Sequence, residues 1–228
     1  MSDPVLDKVD EMAHLSPEQK AEFKANILAS RERNAELKST STEDEAMRQQ
    51  ESYLKGVGFG RRYWYPVIAR IPDDIRFAIQ DYVHADSISK HIREGMGMMI
   101  GGEVGAGKTH ALSYIALQCH DHWVQYVFAP DLFAALMGKT DEAREKVMRW
   151  ERCDLLLLDD VDRLYGHDYP VMAFDSFVEH RHTDCRATVV TLNSAEMLQK
   201  DARLGAVKDR WADTMVQVET QAQSQRGK

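Results

Sequence analysis

Residues 102–109 read Gly102-Glu103-Val104-Gly105-Ala106-Gly107-Lys108-Thr109 and complete the phosphate-binding P-loop pattern G-x-x-x-x-G-K-[ST]. The loop dictates its surroundings, because it works only between the end of a buried strand and the start of a helix. Its glycines let the backbone curl until the N–H groups converge on phosphate oxygens, and the helix adds its positive end. Lys108 is placed to reach β- and γ-phosphates, and the Thr109 hydroxyl to occupy one Mg²⁺ position. The flanks comply. Met96-Gly97-Met98-Met99-Ile100 reads as a short buried strand, and Ala111 to Cys119 as a helix with Leu112, Ile115, Ala116 and Cys119 apolar. A nucleoside triphosphate is the expected ligand.

Two further segments extend the same chemistry. Leu155-Leu156-Leu157-Leu158-Asp159-Asp160 is an apolar strand delivering two acids to its carboxyl end, the Walker B form. Asp159 is expected to hold Mg²⁺, directly or through water, and Asp160 to orient or deprotonate the attacking water. Thr188-Val189-Val190-Thr191-Leu192-Asn193 is a β-branched strand ending in an amide. Asn193 there can hydrogen-bond the attacking water or the γ-phosphate.

From Met96 onwards strands and helices alternate, which predicts an α/β fold with a five-stranded parallel sheet flanked by helices. The expected strands are 96–100, 123–128, 154–158, 187–192 and 214–218. Helices are expected near 108–120, 131–137, 141–150, 168–182, 195–200 and 205–212. The charged residues of 141–152 describe a solvated helix face. Ahead of this core, residues 56–95 read as a linker (Gly56 to Gly60) and helices leading into it. There the cluster Arg61-Arg62-Tyr63-Trp64-Tyr65 either stacks bases, packs a core edge or lines an adenine pocket.

Residues 1–55 read as a small helical segment. Val5, Leu6, Val9, Met12 and Ala13 share one face, and Ser16-Pro17-Glu18-Gln19 opens a second helix carrying Phe23, Ile27 and Leu28. A third follows from Thr42. So thin an apolar stripe either folds onto the core or meets a partner.

Composition narrows the setting. No apolar run approaches the ~20 residues needed to span a bilayer, and the first residues lack signal-peptide character. The three cysteines (Cys119, Cys153, Cys185) are scattered, so a reduced, cytoplasmic protein is expected. A net charge of −8 means that any DNA contact must come from a local basic patch.

Taken in order, these segments resemble the AAA+ ATPases, and within them the DnaC/IstB-like helicase loaders, over about Arg61 to Glu219. Besides the motifs above, the resemblance rests on Tyr82-Val83, on Ile92-Arg93-Glu94-Gly95 and on Gly107-Lys108-Thr109-His110. It also rests on Gln125 to Leu132 and on Leu204-Gly205-Ala206-Val207-Lys208-Asp209-Arg210-Trp211. It implies ATP and Mg²⁺ as cofactors, with His110 beside the nucleotide and Arg210, or else Arg203, as an arginine finger acting across a subunit interface. It implies a ring or spiral oligomer that places a hexameric DnaB-type replicative helicase on single-stranded DNA, with residues 1–55 docking on the helicase. On the same basis, Lys139, Arg144, Lys146 and Arg149 are candidate DNA contacts.

Three departures stand out. Asp160 replaces the usual Glu, Ala206 occupies a position often held by Arg, and the chain ends soon after Glu219, so that the helical lid is expected to be absent. The amino-terminal segment has no cysteine, which argues against a zinc-binding docking domain. A transposition helper of the IstB kind and a nucleotide-binding scaffold with little hydrolysis are the alternatives. A small-molecule kinase fits less well, since no Arg-rich lid is apparent.

Overall fold

A computed structural model of the chain describes residues 16–18, 21, 25, 43–84, 88–164, 171–193 and 204–224. The chain divides into two compact units, Met1–Gln49 and Gln50–Lys228. In the smaller one, residues 43–49 are helical, as are residues 17, 18, 21 and 25. The apolar face expected over Val5 to Ala13, and Phe23, Ile27 and Leu28, lie outside the described residues.

The larger unit is built on one parallel sheet. Its strands are β1 (Gly97–Gly101), β2 (Val124–Phe128), β3 (Leu155–Asp159), β4 (Ala187–Leu192) and β5 (Met215–Glu219), in the order β2-β3-β4-β1-β5. Each expected strand is present, four of them starting one residue later than the apolar pattern indicated. β1, β3 and β4 lie inside the sheet and are buried throughout, which is why they read as unbroken apolar runs. The edge strand β5 keeps Val216 and Gln217 exposed.

Because successive strand residues face opposite ways, the sheet feeds two cores. Met98, Ile100, Leu155, Leu157 and Val189 face one core, and Met99, Leu156, Leu158, Val190 and Leu192 the other. Helices α1 (Asp73–Val83), α2 (Ile88–Arg93) and α3 (Lys108–Gln118) bury against the first. On α1 the buried residues are Ile75, Ile79 and Tyr82, the helical spacing of one stripe. Helices α4 (Ala129–Met137), α6 (Val171–Thr183) and α7 (Gly205–Thr214) cover the second. Between them α5 (Asp141–Arg152) buries no residue fully and rests on that core through Val147 and Trp150 alone, leaving its charged face to solvent. The helix expected at 195–200 lies outside the described residues.

Residues 56–60, expected as a linker, are instead part of the core. Val57 and Phe59 are buried beside Leu54. The large apolar residues set between the glycines are the reason: Val57 ends a helix, Gly58 at φ 115° turns the chain, and the side chains on either side of it pack. The aromatic cluster that follows also packs rather than stacking free. Trp64 Nε1 donates to the Phe59 carbonyl at 2.8 Å, and the Tyr63 ring lies edge-on to His110 at 5.1 Å. Tyr65, more exposed, donates to Glu51 at 3.0 Å.

Candidate functional site

The strand order puts the carboxyl ends of β1, β4 and β3 side by side, and the motifs follow those ends directly. Glycines 102, 105 and 107 all have positive φ (154°, 87° and 95°), which curls the loop between β1 and α3. Gly107 admits no replacement: a Cβ there would stand 1.9 Å from the Arg70 carbonyl oxygen. The loop is tied to its neighbours by Gly102 N donating to Leu192 O at 3.2 Å and Thr220 N donating to Gly101 O at 3.0 Å.

Lys108 opens α3, and its side chain is buried. Its ammonium donates to the carbonyls of Gly102 (2.7 Å) and Glu103 (2.9 Å) and to Asn193 Oδ1 (3.0 Å). Asn193 in turn donates from Nδ2 to Asp162 Oδ2 at 2.8 Å. The P-loop lysine and the amide ending β4 are thus in direct contact, across 85 residues of sequence.

Thr109 donates to Asp159 Oδ2 at 2.9 Å, so the two residues expected to share a metal meet. Asp159 is only 4% exposed and accepts two more hydroxyls, Tyr126 on Oδ2 at 3.0 Å and Thr191 on Oδ1 at 2.5 Å. Burial pushes its carboxyl above the usual carboxylate range and neighbouring Asp160 adds to this, while the bonds from Thr191, Thr109 and Tyr126 oppose it. The result is a buried acid oriented by three hydroxyls.

Asp160 has φ 57°, in the left-handed region, and its N–H donates to Thr191 Oγ1 at 2.9 Å. His110, on the first turn of α3, is 7% exposed, and its Nδ1 has no partner among the described residues. Burial, with Arg70 and Arg62 nearby, pushes the imidazole below its ordinary value and keeps it neutral.

Beside the loop lies a cleft of about 530 Å³, lined by residues 69 and 71–74 on one side and Thr220, Gln221 and Ala222 on the other. Its walls come close to both ends of the P-loop: a Cβ on Gly107 would lie 3.5 Å from Pro72 Cδ, and one on Gly102 2.4 Å from the Thr220 methyl.

No family model and no curated protein sequence matches the chain. Solved structures do. A DnaC helicase loader is 20% identical with a TM-score of 0.55, covering 71% of this chain and 100% of that one. DnaI is 18% identical with a TM-score of 0.57, covering 72% and 95%. AMPPCP-bound DnaA from Aquifex aeolicus is 19% identical with a TM-score of 0.52, covering 68% of this chain and 51% of that one. The chain therefore spans about half the length of the DnaA chain it matches. The fold, a five-stranded parallel sheet flanked by helices, is the one these replication proteins share.

Arg210 stands apart from the residues around the P-loop. On α7 it donates to Asp175 at 2.9 Å and pairs with Glu179, both on α6 of the same chain. Arg203 lies outside the described residues. The four candidate DNA contacts Lys139, Arg144, Lys146 and Arg149 are all exposed; Arg144 pairs with Asp141 at 3.0 Å and Lys146 with Glu142 at 2.7 Å.

Four contributors escaped the motif reading: Tyr126, Asp162, Thr191 and the cleft walls. Asp162 and Thr191 lay within or next to the quoted motifs, and the polarity of Thr191 on an otherwise apolar strand was an available signal. Tyr126 and residues 69–74 belong to elements whose neighbours are set by the strand order alone.

Proposed function

We propose that this chain is an ATPase whose nucleotide site lies at the carboxyl ends of β1, β3 and β4, and that it acts as a loader of a hexameric replicative helicase. The observation that carries the ATPase reading is the contact of Lys108 with Asn193 and of Thr109 with Asp159, which draws three separate motifs into one site. Lys108 would exchange its carbonyl acceptors for β- and γ-phosphate oxygens, and Asn193 would turn from Lys108 to the γ-phosphate or the attacking water. The base would lie against the cleft beside the loop.

The Thr109 hydroxyl and the Asp159 carboxylate are hard oxygen donors of the kind Mg²⁺ accepts. Among the described residues no cluster of three or more His, Cys, Asp or Glu is built to hold a metal alone. That fits an ion shared with nucleotide phosphates, which is the usual Mg²⁺ arrangement. When bound, the ion neutralises charge on the transferring phosphoryl group. Asp160 is the residue that takes the proton from the attacking water, at its carboxylate oxygen.

The loader reading draws support from extent as well as fold. The chain covers all of the DnaC helicase loader chain and 95% of the DnaI chain, but only 51% of the DnaA chain. In this reading ATP orders several copies into a ring or spiral, with Arg210 released from Asp175 and Glu179 to meet a neighbour's γ-phosphate. The amino-terminal segment docks on the helicase, and Lys139 and Arg149 grip single-stranded DNA.

Two experiments test the two levels. Lys108→Ala is expected to abolish nucleotide binding, and normal affinity in that variant would sink the site assignment. The mass of the assembly with a DnaB-type helicase, with and without ATP, tests the loader reading. An ATP-sensitive complex that is lost on removal of residues 1–42 is the expected result. DNA-stimulated ATPase with no helicase complex would favour the transposition helper instead.

A further inference from the structure

We infer that Tyr126 is a positioning residue for the Asp159 carboxylate, and that the Phe59 ring holds it there. This rests on the ATP-site reading above. Tyr126 sits on the edge strand β2 in register with Leu157, two residues before the pair Phe128 and Asp159. Two residues of strand span about 6.6 Å, a distance a phenol side chain covers and a shorter hydroxyl does not. The hydroxyl therefore reaches along the sheet to Asp159 Oδ2 at 3.0 Å.

The second tether comes from the other side of β3. Thr191, on β4, donates to Asp159 Oδ1 and is itself bonded by the Asp160 N–H. Each carboxylate oxygen is thus held by a different neighbouring strand, and the plane of the carboxylate cannot turn. Thr109 finds its acceptor already oriented, at 2.9 Å on the oxygen that Tyr126 also holds. Mg²⁺ demands near-ideal octahedral geometry, so the orientation of a carboxylate that serves it bears directly on affinity.

Packing alone does not account for the tyrosine. A phenylalanine would fill the same space without burying a hydroxyl, which is costly unless it is bonded. The ring is fixed independently of that bond. Phe59 stacks on it, with centroids 4.1 Å apart and planes 27° from parallel. Gly58 permits the approach, since at its φ of 115° a Cβ would stand 2.9 Å from the Tyr126 carbonyl oxygen. Phe59 is braced in turn through Trp64 Nε1 on its carbonyl and Gln50 Nε2 on the Trp64 carbonyl, both at 2.8 Å.

The test uses the full chain, a fluorescent ATP analogue and two variants. Tyr126→Phe keeps the ring and removes only the hydroxyl. Its affinity in EDTA should equal that of the parent, while the Mg²⁺ concentration at half-maximal enhancement of binding rises about tenfold, as for other outer-shell partners of metal ligands. Phe59→Leu keeps the hydroxyl but loses the stack, and should move the Mg²⁺ midpoint in the same direction by less. A Tyr126→Phe midpoint equal to the parent's overturns the inference. So does an equal loss of affinity with and without Mg²⁺, which would make Tyr126 a packing residue. A parent chain that binds no nucleotide under either condition overturns the ATP-site reading, and this inference with it.

Discussion

The choice of Asp at position 160 has a reason in its backbone. At φ 57° it occupies the left-handed region, which a short polar side chain such as Asp tolerates better than a longer one. Asp160→Glu should therefore cost about 1 kcal/mol of stability, read as a shift in urea midpoint. Asp160→Asn should leave nucleotide binding intact and slow turnover about 100-fold, the usual worth of a general base. A variant that hydrolyses ATP at the parental rate would remove Asp160 from the mechanism. Asp162 acts one residue further out. By accepting from Asn193 Nδ2 it leaves Oδ1 of that amide facing Lys108. Asp162→Ala frees the amide to turn, and turnover should fall by about tenfold at most, the worth of one hydrogen bond. Binding should change little, which single-turnover and equilibrium measurements together would show.

At the scale of elements, the sheet is held from its far edge by Arg181. This α6 side chain is 2% exposed, yet each of its three nitrogens donates a hydrogen bond. Nε donates to Thr188 Oγ1 at 3.0 Å, Nη1 to the carbonyls of Trp150, Glu151 and Cys153, and Nη2 to that of Ala187. One side chain thereby joins the end of α5 to the starts of β3 and β4, opposite the edge where the motifs converge. Arg181→Met would keep most of the volume but leave several buried carbonyls unbonded. The expected loss is at least about 3 kcal/mol, measured by denaturant unfolding, with nucleotide affinity of the folded fraction unchanged.

For the molecule as a whole, the cysteines report integrity. Cys119 is buried and its thiol is pushed up to about 12 by that burial, Cys153 is buried and also shifted upward, and Cys185 is exposed. A chromogenic disulfide reagent at neutral pH should titrate Cys185 in the folded protein and all three thiols only in denaturant. Arg210 carries the prediction about assembly. If it acts in trans, Arg210→Ala mixed with Lys108→Ala should regain turnover, because one subunit lends the arginine and the other the intact P-loop. A role confined to bracing α7 on α6 through Asp175 and Glu179 would give no such recovery.

The amino-acid sequence was sufficient for what is local. The P-loop, the paired acids and the β4 amide each announce themselves in fewer than ten residues, because phosphate cradling and metal ligation demand particular residue types at fixed spacing. The alternation of apolar runs with helical stripes likewise yielded the five strands, since inner parallel strands are buried on both faces and read as unbroken apolar segments. Tertiary structure decided everything that depends on which strands are neighbours. The order β2-β3-β4-β1-β5 brings Tyr126 and Thr191 to either side of Asp159 and sets Asn193 against Lys108, and the packing around it gathers residues 69, 71–74 and 220–222 around a cleft beside the loop. It also turned an apparent linker into core, because glycine spacing shows where a chain can bend but not what its side chains will meet.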